Sequence, residues 1–401
     1  MHPSFTSSFK TDSVAGFCRR AALFCLPLLA AGLVFELAMY RWGENLPLTR
    51  VVAAQTADPR TIFSRNLFSQ QFNRYKYLMI QERRPRVLIV GSSRVMQFRA
   101  LMFQPIDGVY NAGGMVQGIR DLEQLALEFE SGRLPQPELI IVGIDPWWFK
   151  RGSLAGGSWL EAERLRESVY QPSGHVHAFR AWARRPGSWP YALLRPGALA
   201  RTPHYGLPAM GVRAALEGQG FRADGSMLYE NHIVEFQRTG VYRDRETPPA
   251  IQRIRDRDFQ FSGGGLEPEA LELLVSSLLR LKRAGIETIG FLPPLSSACF
   301  QALQESEDLS PWWRVYAEVL PRRLEGAIPC YAPLTAGVLG LDDRYMVDGF
   351  HPGEVLIAAL LEQMVREAPA GSVLRGVDAD HLHGLRTQPK AIPLSFEPPE
   401  A

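Results

Sequence analysis

The sequence predicts an α/β fold with a parallel five-stranded sheet covered by helices on both faces, and three observations predict it. Short apolar runs bounded by turn residues recur at 86–90, 108–111, 138–143, 286–292 and 327–331, the pattern of strands buried on both faces. Helical periodicity separates them. Leu122, Leu125, Ala126 and Phe129 share one helix face, and Leu271, Leu274, Val275, Leu278 and Leu281 another. Third, chemically distinctive residues follow the strands directly, at the carboxyl ends where parallel sheets bind ligands.

The 401 residues, 46% hydrophobic and 21% charged, suffice for one large core with an insertion. A formal net charge of +2 leaves no electrostatic footprint for nucleic acid.

Taken in order, residues 1–20 form a basic tail with Lys10, Arg19 and Arg20. Residues 21–40 carry one charge, Glu36, and at 1.5 Å per residue match a hydrocarbon core of roughly 30 Å. The basic flank orients such a helix with its N-terminus in the cytoplasm and everything after it exported. A buried helix and a cleaved signal peptide are the rivals. The basic flank argues against the first, and the missing small-residue cleavage site against the second, so a retained signal anchor is expected. Residues 41–85 read as a polar juxtamembrane segment with little pattern. The α/β domain covers 86–368, with an irregular Arg-, Gly-, Pro- and aromatic-rich insertion at about 150–265. Short helical pieces are expected there at 159–168 and 178–184. Downstream helices are expected over Pro268–Ala284, 311–325 and from Pro352 to about Glu367, where Gly285 and Pro352 supply the stop and start signals. Residues 369–401 are Pro- and Gly-containing and read as a mobile tail.

The chemistry lies in four segments. Gly91-Ser92-Ser93-Arg94 follows the first strand, with the serine at a helix start whose free amides favour negative charge. Asn111-Ala112-Gly113-Gly114 follows the second, and Asp145-Pro146-Trp147-Trp148 the third. Asp348-Gly349-Phe350-His351 precedes the last helix. Ser93 needs a base to take its proton; His351 is the candidate, with Asp348 to orient the ring. Trp147 and Trp148 either stack on sugar rings or pack the insertion. Arg94 either binds an anion or pairs with a carboxylate. His175, His177, His204 and His232 lack ligand spacing, and Gly113, Gly114 and Gly118 lack dinucleotide spacing, so neither metal nor cofactor is expected. Cys299 and Cys330 suit a disulfide or two buried thiols equally.

In this order the four segments resemble the blocks of the SGNH/GDSL hydrolase superfamily, over roughly residues 86–368. The resemblance is greatest to membrane-anchored branches such as the D-alanyl transfer protein and the alginate O-acetyltransferases. It implies a flavodoxin-like three-layer sandwich with Ser93, Asp348 and His351 as catalytic triad; Ser92 is the alternative nucleophile. It implies an oxyanion hole of Ser93, Gly114 (or Gly113) and the position of Asp145, where the family usually has asparagine. An ionised carboxylate cannot donate a hydrogen bond, so Asp145 departs from that pattern. The resemblance further implies serine-dependent acyl transfer to a cell-envelope or exported glycan. The site would lie outside a bacterial cytoplasmic membrane, with a membrane-bound acyltransferase as partner and Arg94, Trp147 and Trp148 near substrate. An esterase and a non-catalytic binding protein are the alternatives.

Overall fold

The computed structural model describes residues 11–65, 68–158, 160–161, 176, 180, 200–240, 248–262 and 264–398. Its strands, in chain order, are β1 (Ile62–Phe63), β2 (Val87–Val90), β3 (Val109–Asn111), β4 (Leu139–Gly143) and β5 (Ala200–Arg201). They continue with β6 (Pro208–Met210), β7 (Gln219–Phe221), β8 (Met227–Tyr229), β9 (Glu287–Phe291) and β10 (Cys330–Tyr331).

Five of these make the main sheet, ordered β10-β9-β4-β2-β3 and parallel throughout. Its apolar runs are doubly buried because successive side chains point to opposite faces. Val87, Ile89, Leu139, Ile141, Ile289 and Phe291 meet the helix Glu354–Glu367 on one face. Leu88, Val90, Ile140 and Val142 meet the helices Ile119–Glu130 and Ala270–Arg283 on the other. At roughly 1.5–3 kcal/mol per fully buried aliphatic side chain, this three-layer core dominates the folding energy. From β2 the chain crosses to β3 on one side and returns to β4 on the other. The carboxyl end of β2 therefore opens at the point where the winding reverses, and Gly91 to Ser93 stand there.

Two segments differ from the sequence reading. The stretch 41–85 is structured, with helices Leu48–Ala57 and Phe68–Arg83 flanking β1. It shares a second sheet, β5-β6-β1-β7-β8, with the insertion; β1 runs parallel to β6 and antiparallel to β7. Leu48, Val51, Tyr75, Met79 and Ile80 are buried in the main core, which explains the order. The C-terminal segment is likewise packed through residue 398, not a free tail. Leu374, Leu382 and Phe396 are buried against the main sheet's helix layer, and Ala379–Thr387 is helical. The helical pieces expected at 159–168 and 178–184 fall largely outside the described residues, as do His175 and His177. His204 and His232 belong to the insertion, where His232 packs edge-on against Tyr229.

The N-terminal helix spans Thr11–Arg41, and its portion Val14–Arg41 is long and apolar enough to cross a membrane. Leu23, Phe24, Leu26, Leu28, Leu29 and Leu33 are exposed along it. One side of its last turn is not: Ala38 and Met39, with Trp42 just after the helix, are buried against Val212 and Leu216 of the helix Val212–Glu217. The Gly211 amide donates to the Trp42 carbonyl, and the Val212 amide to Glu44 at 2.8 Å. Cys299 and Cys330 are free thiols, and burial pushes them up to about 11 and about 12 respectively.

Candidate active site

The site starts from a glycine. Gly91 has φ +150°, and a Cβ there would sit 2.9 Å from the Gly143 carbonyl oxygen, so only glycine fits where β2 turns beside β4. Ser92 then caps a single 3-10 turn, Ser93–Val95, its hydroxyl accepting from the Arg94 amide at 3.3 Å. The helix expected after Ser93 is thus only this turn, which carries little dipole. Ser93, not Ser92, is the serine presented to the opening; Ser92 is buried.

Ser93 Oγ lies 2.8 Å from His351 Nε2. On the ring's other side Nδ1 lies 2.7 Å and 2.9 Å from the two Asp348 oxygens. A carboxylate only accepts, so Nδ1–H donates to Asp348, and in the neutral ring Nε2 is then the acceptor facing the serine hydroxyl. The Phe350 and His351 amides donate to Asp348 Oδ1 at 2.7 Å and 2.8 Å, and the Val347 amide donates to the His351 carbonyl at 2.7 Å. Burial alone would raise the Asp348 carboxyl, but the adjacent His351 ring and these hydrogen bonds hold it down at about 2. The loop 347–351, called the base loop after the role expected of His351, is thereby a closed turn with an ionised carboxylate at its centre.

The oxyanion side differs from the expectation. The Ser93 amide makes no hydrogen bond among the described residues. The Gly114 amide is engaged, donating to the carbonyls of Gly91 (2.8 Å) and Ser92 (3.0 Å), and the Gly113 amide donates to Asn111 Oδ1 at 2.7 Å. Those glycines serve close approach: a Cβ on Gly113 would meet Asn111 Oδ1 at 2.7 Å. Asp145 is fully buried and turned to Arg94, with Oδ1 2.9 Å from Nη1. Burial pushes its carboxyl up, against the pull of the Arg94 charge. The Gly114 amide is therefore already engaged and the Asp145 side chain is turned to Arg94, while the Ser93 amide is left unengaged.

The residues expected near substrate also divide. Arg94 is 1% exposed and Trp148 equally buried, so neither faces a ligand. Trp147 is half-buried, edge-on to Phe261 and beneath the Arg94 guanidinium at 5.5 Å. Lys76 escaped the sequence reading. Its Nζ is buried between Phe221 and Tyr110 and donates to the Asn111 carbonyl at 2.7 Å and to that of Gly225. Burial drives its ammonium well below the ordinary lysine range. In the sequence it is one cation in an amphipathic helix, which reads as solvent-facing. Among the described residues, no cluster of histidine, cysteine and carboxylate side chains could hold a metal ion.

No family model matches the chain, and neither does any curated protein or solved structure.

Proposed function

We propose that this protein is an extracytoplasmic serine-dependent O-acyltransferase of the SGNH type. It would pass an acetyl or similar acyl group through Ser93 to a hydroxyl of a cell-envelope or exported glycan. The observation that carries this reading is the continuous hydrogen-bonded line from Ser93 through His351 to Asp348 at the carboxyl end of β2. The main sheet supports it: its strands, numbered among themselves in chain order, lie 2-1-3-4-5, the flavodoxin-like order in which ligands bind at the switch point.

The chemistry follows from the geometry. Ser93 Oγ attacks the donor's acyl carbonyl while its proton moves to His351 Nε2. The tetrahedral oxyanion is met by the Ser93 amide, and collapse expels the donor's leaving group, which takes the proton from His351. The acceptor hydroxyl then attacks the Ser93 ester as its proton passes to His351, and the departing Ser93 oxygen takes that proton back as the new ester is released. Asp348, ionised far below neutral pH, stabilises the imidazolium formed in both halves. Water in the acceptor's place would make the same protein an esterase. Transfer is preferred because a helix able to cross a membrane would hold the site beside membrane-bound acyl donors and envelope polymers.

The test is to treat the full chain in detergent with a fluorophosphonate and map the adduct. Ser93 Oγ displaces fluoride from phosphorus, and its proton leaves with the fluoride through His351. An adduct on Ser93 that requires His351 supports an activated nucleophile, and the ratio of acyl product on an alcohol to that on water then separates transfer from hydrolysis. Absence of an adduct in folded protein favours the second reading, a non-catalytic envelope protein. The engagement of the Gly114 amide and the Asp145 carboxylate is the observation on that side.

A further inference from the structure

We propose that Arg94 is the positioning residue of this site: a buried fork that fixes the base loop to the nucleophile turn and so sets the distance between Ser93 and His351. The inference rests on the triad reading above and assigns a role to two residues that reading leaves without one.

Arg94 adjoins Ser93 in the chain, and its side chain runs inward, away from the opening. Nε donates to the Phe350 carbonyl at 3.0 Å, one residue before His351. Nη2 donates to the Pro294 carbonyl at 2.9 Å and also to that of Pro293, in the loop after β9. Nη1 pairs with Asp145, directly after β4, at 2.9 Å. One guanidinium thus ties the turn after β2 to the loops after β4 and β9 and to the base loop. Only a planar group with five N–H donors serves so many acceptors at once; an ammonium on a flexible stem does not.

The burial of the pair gives the arrangement its rigidity. Both side chains are 1% exposed, so the carbonyls have no water to turn to if the fork is lost. A carboxylate after β4 then has a reason. An asparagine there could accept a hydrogen bond from Arg94 through its carbonyl oxygen but would bring no charge, whereas the Asp145 carboxylate both accepts from Nη1 and balances the buried guanidinium. On this account the position of Asp145 belongs to the frame of the site and not to its oxyanion hole.

Two measurements on the full chain in detergent test the role. The variants are Arg94→Lys and the double variant Arg94→Met, Asp145→Asn; the latter removes both charges together, so that no lone buried ion prevents folding. The first measurement is NMR of the histidine rings, assigned with His351→Ala. In the unaltered protein the His351 Nδ1 proton is expected to resonate far downfield, held by Asp348, and its Nε2 to carry the signature of an acceptor. In folded Arg94 variants the Nε2 signature is expected to shift toward that of a free ring while thermal melting stays cooperative. The second is the rate of Ser93 modification by a fluorophosphonate, expected to fall about 10²-fold, the usual consequence of an ångström-scale misplacement. That loss should not add to the loss caused by His351→Ala, because both remove the same contact. An unchanged His351 Nε2 signal in a folded Arg94 variant overturns the positioning role, whatever the protein's activity. Failure of the unaltered protein to react at Ser93 overturns the acyl-transfer reading instead, and leaves the NMR result to decide on Arg94.

Discussion

His351 Nε2 and Ser93 Oγ are 2.8 Å apart across a sequence separation of 258 residues. Nothing local brings them together. The contact depends on the register of β2 within the sheet and on a base loop folded around the Asp348 carboxylate. Changes that leave either residue in place but move its support should therefore register in the same assay.

Ser93→Ala is expected to abolish fluorophosphonate labelling, and His351→Ala to slow it by about 10³-fold or more, since nucleophile and base act as a unit. Intact-mass time courses measure both. Labelling of His351→Ala at the unaltered rate would remove the base from the mechanism.

Asp348→Asn is expected to lower the same rate by roughly 10³–10⁴-fold through loss of the tautomer that frees Nε2. It also has a pH signature. The folded carboxyl sits at about 2, below its ordinary 3.8, so the unfolded chain binds the proton more readily. The stabilisation is complete above about pH 4 and is lost as pH falls through about 2. Melting temperatures of the unaltered protein and Asp348→Asn should differ by a constant amount above that window and converge below it.

Gly91→Ala puts a methyl group against the Gly143 carbonyl at a φ of +150°. The expected cost is about 1–3 kcal/mol of stability, as for other backbones forced into a sparsely populated region. The Ser93 labelling rate should fall as well, because the turn that presents the serine must shift. Chemical denaturation and the labelling assay read the two effects separately, and a fully stable, fully reactive Gly91→Ala would contradict the packing described at this turn.

Trp42→Ala removes the largest side chain between the N-terminal helix and Val212–Glu217. Loss of a buried tryptophan typically costs about 3–5 kcal/mol. A chain beginning at residue 43 should melt lower than one beginning at residue 35 for the same reason. Equal melting temperatures would mean that the helix foot is not part of the folded unit.

The main sheet was legible because its strands are buried on both faces, which turns each into a continuous apolar run such as Val87 to Val90. The sequence boundaries at 86–90 and 138–143 lie within a residue of those of β2 and β4. The second sheet was not legible. Ile62–Phe63 and Ala200–Arg201 are two-residue strands, too short for any alternation to appear, and the partners of Ile62–Phe63 lie about 150 residues along the chain. The packed C-terminal segment escaped for a related reason: Leu374, Leu382 and Phe396 are isolated apolar residues at no regular period. At the site, the residue types of Ser93, Asp348 and His351 could be read from motifs placed after strands. The direction of the Gly114 amide and the inward course of Arg94 could not, because both are decided by which carbonyls the fold leaves nearby.

The buried foot of the N-terminal helix has a further consequence. A domain on a flexible leash samples a shell of heights and tilts, and its reach grows with the length of the leash. Here the Trp42 carbonyl and Glu44 are hydrogen-bonded to the insertion directly after the helix, so there is no leash to lengthen. If the helix crosses a membrane, the opening above Ser93 keeps one elevation and one heading with respect to that surface. On the proposed acyl-transfer reading, acceptor hydroxyls would then be chosen partly by how far they stand from the bilayer, a selection made by altitude before any side chain touches the acceptor.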